Sequence, residues 1–394
     1  MDYDVAVIGG SSAGLYTAAL LARKGVNTAL FEREREIDPP RRTYILTPGL
    51  ERVMGEIPSG WIKHQISSFE VETKNDGVRI PLADDDLILE RNEIRKTLAE
   101  RAERAGADLH LGLSFARFEE TGDGVRLVFE DEAGAENLVT AGSVVGADGA
   151  LSSVAQAAGI PQPPAVPLLQ AEIHLPAGWP RGLTKVWFDV VETRYFFWLI
   201  PESDSRAVVG LIGEPGRDIQ ATLDRFLKMR SYRPLGMQSG RAAMHHPRMQ
   251  PWGRVGDLDV LLVGDAAGQV KVTTVGGTVT GFWGARVAVE AVTTDADYPQ
   301  ALRPLKRELD LHWWIRSQIE CLNNHGYDRL VSCLSPRVID FLSENDRDGM
   351  KGHFWKLPFL QPRFLPLGLR LLLRPPLYDP LPFPGENGWP LCFV

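Results

Sequence analysis

Two glycine-rich blocks, far apart in the sequence, constrain the fold of this 394-residue chain more than any other feature. The first, at residues 7–14, reads Val-Ile-Gly-Gly-Ser-Ser-Ala-Gly, and the second, at residues 264–277, reads Gly-Asp-Ala-Ala-Gly-Gln-Val-Lys-Val-Thr-Thr-Val-Gly-Gly. Apolar runs at 4–8 and 27–31 enclose a helical pattern over 13–24, which is typical of a β-α-β unit. The sequence therefore predicts a dinucleotide-binding fold to which distant residues contribute.

The first block predicts a binding site for a pyrophosphate group. A strand that ends in a glycine turn and leads into a helix presents bare backbone N–H groups and the positive helix end to an anion. Ser11 takes the place of the middle glycine in the usual G-x-G-x-x-G pattern, a change that is tolerated if its small side chain points away. The residues expected to contact the cofactor here are Gly9, Ser11, Ser12, Ala13 and Gly14.

Charged residues that follow the block are candidates for the remaining contacts at this end. Glu32 closes the second strand of the unit, where a carboxylate can accept both hydroxyls of the adenosine ribose and disfavours a 2′-phosphate. Arg33, Arg41 and Arg42 are candidates for the adenine and phosphate side, and Arg91 for phosphate or flavin. A surface ion pair is the alternative for each arginine, and a turn without a ligand is the alternative for the glycines.

The second block predicts the site for a flavin. Asp265 follows a buried apolar run at 260–263, so its carboxylate emerges at the carboxyl end of a strand and can accept a ribityl hydroxyl. Gly276 and Gly277 precede a helix, whose positive end can face N1 and O2 of the ring and stabilise the anionic reduced flavin. Because NAD has no ribityl chain, the two blocks together predict an FAD enzyme. The alternative is a plain β-turn followed by glycines that serve packing.

Composition excludes several classes of protein. A net charge of −8 and a pI near 5.6 argue against a nucleic-acid partner, which requires clustered Lys and Arg. Three cysteines form neither an even disulfide set nor a metal-ligand spacing, so we expect a reducing, cytoplasmic location and no metal. The acidic start at 1–4 is unlike a secretory leader, and the lipophilic stretch at 354–377 is interrupted by arginines and prolines, so no membrane span is predicted.

The pattern along the chain predicts an α/β protein with a Rossmann-like FAD-binding domain, an antiparallel β-sheet substrate domain and a helical C-terminal region. Residues 61–81 are expected to form a hairpin that turns at Asn75-Asp76-Gly77, and strands are expected at 185–191, 194–200 and 206–212. The expected boundaries are 1–58, 82–160 and 251–295 for the discontinuous FAD-binding domain, 59–81 and 161–250 for the substrate domain, and 296–394 for the helical region with its proline-rich tail.

The chain resembles the geranylgeranyl reductase family, a branch of the flavoproteins built like para-hydroxybenzoate hydroxylase. The resemblance spans roughly residues 1–295 and is carried by the two blocks, Glu32, Arg91, Asp148-Gly149 and Phe196-Phe197-Trp198-Leu199-Ile200-Pro201. It implies that Phe196, Trp198 and Ile200 line the substrate cavity, and strand alternation independently puts these three on one face. An aromatic face beside a flavin suits a hydrophobic, flat or polyene substrate, whereas plain core packing is the alternative.

The chain also departs from the family. Many family reductases carry a cysteine where this chain has Arg42-Thr43-Tyr44, so a cysteine proton donor is absent and Tyr44, His64 or a water is left as the candidate catalytic group. Val272 stands where the family often has proline.

The resemblance implies several possible reactions. Reduction or dehydrogenation of carbon–carbon double bonds in a hydrophobic, isoprenoid-like or polyene substrate is the first, monooxygenation of an aromatic or lipophilic substrate the second, and flavin-dependent halogenation the third. No second nucleotide-binding unit is evident, so NAD(P)H bound transiently or a separate redox protein is expected as the electron donor. A carrier flavoprotein whose tail at 354–394 contacts a partner or a membrane surface is a further alternative.

Overall fold

The computed structural model describes residues 1–37, 43–294, 296–345 and 347–364. In chain order the strands are β1 (Tyr3–Ile8), β2 (Thr28–Glu32), β3 (Thr43–Leu46), β4 (Ile62–Glu72), β5 (Gly77–Glu90), β6 (Asp108–Leu111), β7 (Ser114–Thr121), β8 (Gly124–Glu130), β9 (Glu136–Gly146), β10 (Ala165–His174), β11 (Leu183–Trp187), β12 (Phe197–Pro201), β13 (Arg206–Ile212), β14 (Pro234–Ala243), β15 (Trp252–Val255) and β16 (Leu258–Leu262). The α-helices are α1 (Ser12–Arg23), α2 (Gly49–Met54), α3 (Arg91–Arg104), α4 (Ser153–Ala157), α5 (Ile219–Met229), α6 (Thr278–Thr294), α7 (Tyr298–Ile319), α8 (Asn324–Ser332), α9 (Pro336–Glu344) and α10 (Leu357–Leu360).

The first sheet is the predicted dinucleotide-binding unit. Its strand order is β15-β16-β9-β1-β2-β6, and β16, β9, β1, β2 and β6 run parallel to one another. Alternate residues of β1 enter separate hydrophobic clusters, with Val5 and Val7 on one face and Ala6 and Ile8 on the other. Burial on both faces explains why β1 is a continuous apolar run rather than an alternating one.

The second sheet is mostly antiparallel, with strand order β14-β10-β13-β12-β11-β4-β5-β3. The antiparallel run β11-β12-β13 and the hairpin β4-β5 confirm the strands predicted for these regions. Only the contact between β11 and β4 is parallel among the described pairs of this sheet. The mixed α/β architecture with a second, mostly antiparallel sheet confirms the predicted fold class.

The predicted domain boundaries stay a prediction, but two strands of the second sheet fall in segments that the prediction gave to the FAD-binding domain. β5 continues to Glu90 rather than ending near residue 81, and β3 pairs with this continuation. The three aspartates at 84–86 interrupt the hydrophobic alternation, so the sequence hides the second half of this long strand.

The region after α6 is helical, as predicted, through α7, α8, α9 and α10. The buried face of α7 carries polar side chains, among them Glu308, His312 and Arg316. Residues 365–394, which contain most of the proline-rich tail, lie outside the described residues. Among the helices that the structure describes, none is long and apolar enough to cross a membrane.

Candidate active site

The turn between β1 and α1 requires glycine at two positions. Gly9 has a φ of 108°, and a Cβ atom there would lie 2.5 Å from the carbonyl oxygen of Ala147. A Cβ atom at Gly14 would lie 2.0 Å from the carbonyl oxygen of Gly9. The helix start is thus packed directly on its own turn and on the end of β9, which leaves the backbone bare at this edge of the sheet.

Two serines at the start of α1 have different tasks. Ser11 is the N-cap residue, and its Oγ accepts a hydrogen bond from the Gly14 N–H at 3.2 Å. The Oγ atom of Ser12 is buried and has no hydrogen-bond partner among the described residues. A buried hydroxyl without a partner at a helix N-terminus fits a phosphate oxygen, which would accept its hydrogen bond.

Glu32 faces the same turn. Its Oε2 accepts the Gly10 N–H at 2.5 Å and its Oε1 accepts the Glu34 N–H at 2.9 Å. Each carboxylate oxygen has two lone-pair directions, so both retain acceptor capacity for ribose hydroxyls. The carboxylate is held at the position predicted for the adenosine end of the cofactor.

Arg95 is a site residue that sequence reasoning missed. Its buried Nε donates to the carbonyl oxygen of Gly10 at 2.8 Å. Burial, followed by the charge of Arg91, lowers the pKa of Arg95, whereas Glu32 acts in the opposite direction. The signal available in the sequence was the spacing of Arg91 and Arg95, which puts both on one side of α3.

The two glycine-rich blocks meet in the folded chain. A Cβ atom at Gly264 would lie 3.2 Å from Cβ of Ala13, and one at Gly281 would lie 3.3 Å from Cα of Gly264. The start of α1, the turn after β16 and the start of α6 therefore approach one another so closely that added side chains would be crowded. This contact brings the predicted phosphate end and the predicted ring end into one site.

Asp265 lies at the centre of this junction. Its carboxyl pKa is raised to about 6, chiefly by burial, while the Ala243 N–H and the charge of Arg91 oppose the shift. The Nε atom of Arg91 is buried without a hydrogen-bond partner in the part of the chain that the structure describes. A Cβ atom at Gly277 would lie 3.3 Å from Oδ1 of Asp265. Acid, arginine and glycine turn thus converge at the carboxyl ends of the parallel strands, where α/β folds bind ligands.

The turn before Gly277 is tightly held. Val275 has a φ of 53°, which a β-branched residue rarely adopts. Two hydrogen bonds fix it, from Val275 N–H to the Lys271 carbonyl at 2.7 Å and from Lys271 N–H to the Gly276 carbonyl at 3.1 Å. The structure thus maintains a fixed bare-backbone surface at Gly276 and Gly277.

The predicted substrate strand alternates as expected. Phe196, Trp198 and Ile200 belong to a cluster that also includes Val272 and Val275 of the second block, whereas Phe197 and Leu199 pack on the opposite face against α5. Gly210 makes room for the indole, because a Cβ atom there would lie 2.4 Å from Cζ2 of Trp198. The aromatic face is therefore directed at the flavin turn, and its contact with substrate stays a prediction.

The remaining predicted site residues are two arginines that follow β2 in sequence, one tyrosine and one histidine. Arg33 is exposed, with its Nε 3.6 Å from Oε1 of Glu34, and Arg42 lies outside the described residues. Tyr44 lies on β3 opposite Leu89, and His64 lies on β4 opposite Ile88. Their roles toward cofactor or substrate stay predictions.

A buried polar network behind the second block was not predicted. Lys271 forms an ion pair with Asp348, and Asp348 also accepts a hydrogen bond from Thr47. Next to it, Thr273 contacts His312, which lies near Glu308. These polar residues come from sequence regions far apart, so no local pattern could have revealed them. We call them the polar network, and its members are Thr47, Lys271, Thr273, Glu308, His312 and Asp348.

Comparison with known proteins identifies relatives of this chain. A family model described as "FAD binding domain" matches residues 2–211. Digeranylgeranylglycerophospholipid reductase 2 of Methanopyrus kandleri is 31% identical over 325 residues, which are 75% of this chain and 79% of that protein. Digeranylgeranylglycerophospholipid reductase 1 of the same organism is 29% identical over 388 residues, 87% of this chain and 94% of the relative.

A solved structure shares the fold. A geranylgeranyl bacteriochlorophyll reductase-like protein from Thermoplasma acidophilum superposes with a TM-score of 0.76 at 20% identity, covering 93% of this chain and 99% of the other. The unsatisfied Ser12 hydroxyl and Arg91 Nε, the glycine junction and the carboxylates at 32 and 265 fit FAD residue by residue. FAD is the cofactor of this chain, and the chain is an oxidoreductase.

Proposed function

Because this chain belongs to the geranylgeranyl reductase family of FAD-dependent oxidoreductases, we propose that it reduces carbon–carbon double bonds in the isoprenoid chains of a polyprenyl glycerophospholipid. The observation that carries the proposal is the packing of Phe196, Trp198 and Ile200 against Val272 and Val275 of the flavin turn. An apolar, aromatic wall on the flavin side suits a polyprenyl chain, which is an uncharged hydrocarbon and binds through apolar contact. The names of the relatives support this substrate class.

The protein's own contribution is binding and orientation. The start of α1 and Ser12 would hold the pyrophosphate, Glu32 the adenosine ribose and Asp265 the ribityl chain, and Arg91 would supply positive charge between them. When bound, FAD supplies the hydride that a double bond accepts. The positive start of α6, preceded by Gly276 and Gly277, would stabilise negative charge at the ring.

The aromatic wall fixes which bonds can react. Phe196, Trp198 and Ile200 contribute area and shape rather than hydrogen bonds, so they orient a flexible chain by exclusion of water and by van der Waals contact. The polar headgroup is expected to stay at the surface, because the described residues of this wall are apolar or aromatic.

Anaerobic turnover tests the proposed function. Protein whose flavin has been reduced chemically is mixed with a digeranylgeranylglycerophospholipid in the absence of oxygen, and the lipid is analysed by mass spectrometry. The expected result is a gain of one hydrogen pair for each bond reduced. Conversion that takes place only with stoichiometric oxygen would assign the monooxygenase alternative instead, and incorporation of halide would assign the halogenase.

The electron donor and the cellular setting remain proposals. NAD(P)H or a separate redox protein reduces the flavin, and a cytoplasmic location is proposed with it. Contact of the C-terminal segment with a membrane surface is consistent with Trp355 and Phe359, which are 60% and 79% exposed and lie beside each other. Stopped-flow reduction of the flavin by NADH and by NADPH identifies the donor, and absence of reduction by both favours a protein donor.

A further inference from the structure

Reduction of a carbon–carbon double bond consumes one proton for every hydride, so the proposed function requires a proton route to the flavin side of the substrate wall. Among the described residues, Cys321 and Cys333 form no disulfide and follow α7 and α8, outside the second block. A route has to begin at a group that can hold a proton and end at a group beside the flavin turn.

A series of polar contacts of this kind runs from α7 to the second block. The Oγ1 atom of Thr273 is 2.6 Å from Nδ1 of His312, and Nε2 of His312 is 3.6 Å from Oε1 of Glu308. Glu308 and His312 lie one helical turn apart, so α7 directs both toward the block. The Lys351 N–H donates to both carboxylate oxygens of Glu308, at 3.1 and 3.3 Å, and holds the acid in place.

The three residues differ in burial, which distinguishes an exposed end of the series from a buried end. His312 is 0% exposed and Glu308 is buried, whereas Thr273 retains accessible surface. Thr273 directly follows Val272, which packs against Phe196 and Trp198, and it precedes the turn at Gly276 and Gly277. Thr273 is therefore the member that retains accessible surface and adjoins the substrate wall in sequence, and His312 is the protected interior member.

We propose that Thr273, His312 and Glu308 form a proton relay for double-bond reduction, an inference that rests on the proposed function. As hydride adds to one carbon, the Thr273 O–H bond breaks and its proton forms the C–H bond at the other carbon. The His312 Nδ1–H bond breaks in turn and restores the threonine hydroxyl, which leaves a neutral imidazole. Solvent then returns the proton to His312 through Thr273, the partly exposed member, and the hydride is supplied by the reduced flavin.

Glu308 acts through His312 as a positioning residue. At 3.6 Å its carboxylate is too distant for a hydrogen bond but close enough to stabilise the imidazolium by charge. The Nε2 atom of His312 is buried and has no hydrogen-bond partner among the described residues, so the carboxylate is the negative group nearest to it in its own helix.

The charges that face His312 set its acidity. Burial lowers the pKa of His312, Glu308 and Asp348 raise it, and Lys271 lowers it. A protonated imidazole with a lowered pKa gives up its proton readily. The reaction should therefore slow as the pH rises through this pKa, because the protonated form is lost.

Substitutions at Thr273 test the relay with little risk to the fold, since this side chain is only partly buried. Thr273→Val keeps the shape and removes the hydroxyl, and Thr273→Ser keeps the hydroxyl. With chemically reduced holoprotein and the unsaturated lipid, anaerobic stopped-flow absorbance follows flavin reoxidation. We expect Thr273→Val to slow reoxidation by roughly 10²-fold or more, and Thr273→Ser to stay within about threefold of the wild type.

His312→Asn tests the interior member, and His245→Asn is its matched control. His245 is also buried against an acid of α7, with Nε2 2.7 Å from Oδ1 of Asp310, but this acid is not in the second block. We expect His312→Asn to slow flavin reoxidation by the lipid and to abolish the fall of this rate at high pH. His245→Asn should keep both the wild-type rate and its fall at high pH. Reoxidation by ferricyanide, which forms no C–H bond, should be equal in all variants and reports an intact flavin site.

A titration independent of turnover completes the test. In apoprotein labelled with ¹⁵N-histidine, the His312 resonance should titrate, and Glu308→Gln should lower its pKa further because the stabilising charge is gone. The relay is overturned if Thr273→Val and His312→Asn reoxidise with lipid as fast as the wild type, or if Glu308→Gln leaves the His312 titration unchanged. If reduced wild-type protein is not reoxidised by lipid at all, the proposed function fails and takes the relay with it.

Discussion

At the scale of single residues, the absence of a side chain is as informative as its presence. Gly14, Gly264 and Gly281 allow three backbone segments to approach one another where a Cβ atom would clash or crowd. Ser12 and Arg91 keep buried polar atoms unsatisfied among the described residues, which marks the positions where a ligand completes the hydrogen bonding. Small residues and unpaired donors together define the proposed cofactor site.

Gly14→Ala should destabilise the fold by about 1–3 kcal/mol, because the new Cβ would lie 2.0 Å from the Gly9 carbonyl oxygen and force the helix away from its turn. Urea unfolding of the apoprotein measures the change. Gly60→Ala is the matched control, since a Cβ there has no heavy atom within 4 Å. Equal stability of the two variants would show that the turn is not tightly packed.

Asp265 should make the stability of the apoprotein depend on pH. Its pKa is about 6 in the folded chain, above its ordinary value of 3.8, so the folded state binds a proton that the unfolded state has lost. The free energy of unfolding should therefore fall as the pH rises from about 4 to about 6, and this fall should be absent in Asp265→Asn. Urea unfolding of the wild type and of Asp265→Asn across this pH range measures the effect. If the free energy of unfolding depends on pH in the same way in both proteins, the carboxyl group of Asp265 is not buried.

At the scale of elements, the sequence predicts most where the pattern is local. β1, α1 and β2 follow from apolar periodicity and the glycine turn, and β12 follows from alternation. The second half of β5 is hidden by the three aspartates at 84–86, of which Asp86 is buried and paired with Arg347. An aspartate is expected inside a strand's buried face only when its distant partner is known. The local sequence pattern therefore predicted an end of β5 that was too early.

Adjacent residues of β12 should respond differently to the same change. Trp198→Leu should raise KM for the lipid by about tenfold through loss of aromatic contact on the flavin side. Phe197 lies on the other face, with its ring centroid 4.2 Å from that of Phe226. Phe197→Leu should therefore leave KM unchanged and lower stability by roughly 1–2 kcal/mol. Steady-state kinetics and urea unfolding on both variants test this, and a KM effect at Phe197 equal to that at Trp198 would contradict the two-faced strand.

At the scale of the whole molecule, the polar network joins four parts of the chain, one of which is α7. Asp348, after α9, contacts Lys271 of the second block and Thr47 before α2. Burial would raise the pKa of Asp348, but Lys271 and Thr47 hold it below its usual range. Such contacts between residues remote in sequence leave no periodic signal, which is why the network and the proton relay within it were found only in the fold.

The Lys271 and Asp348 pair should show strong coupling. Lys271→Met leaves a buried carboxylate without its cation and should cost about 3–5 kcal/mol of stability. Asp348→Asn in the same protein removes that charge and should restore part of the loss. A double-mutant cycle by urea unfolding measures the coupling, and additive single effects would mean that the ion pair does not join these segments.

The most direct test of the central claim, that the two remote blocks grip one FAD, is a fluorescence titration of apoprotein with FAD. The wild type should bind one FAD per chain, and Ser12→Ala in the first block and Asp265→Ala in the second should each weaken binding by about tenfold or more, as expected for loss of a hydrogen bond to a charged group. A wild-type protein that stays colourless and binds no FAD, or binding that neither substitution alters, would contradict the account.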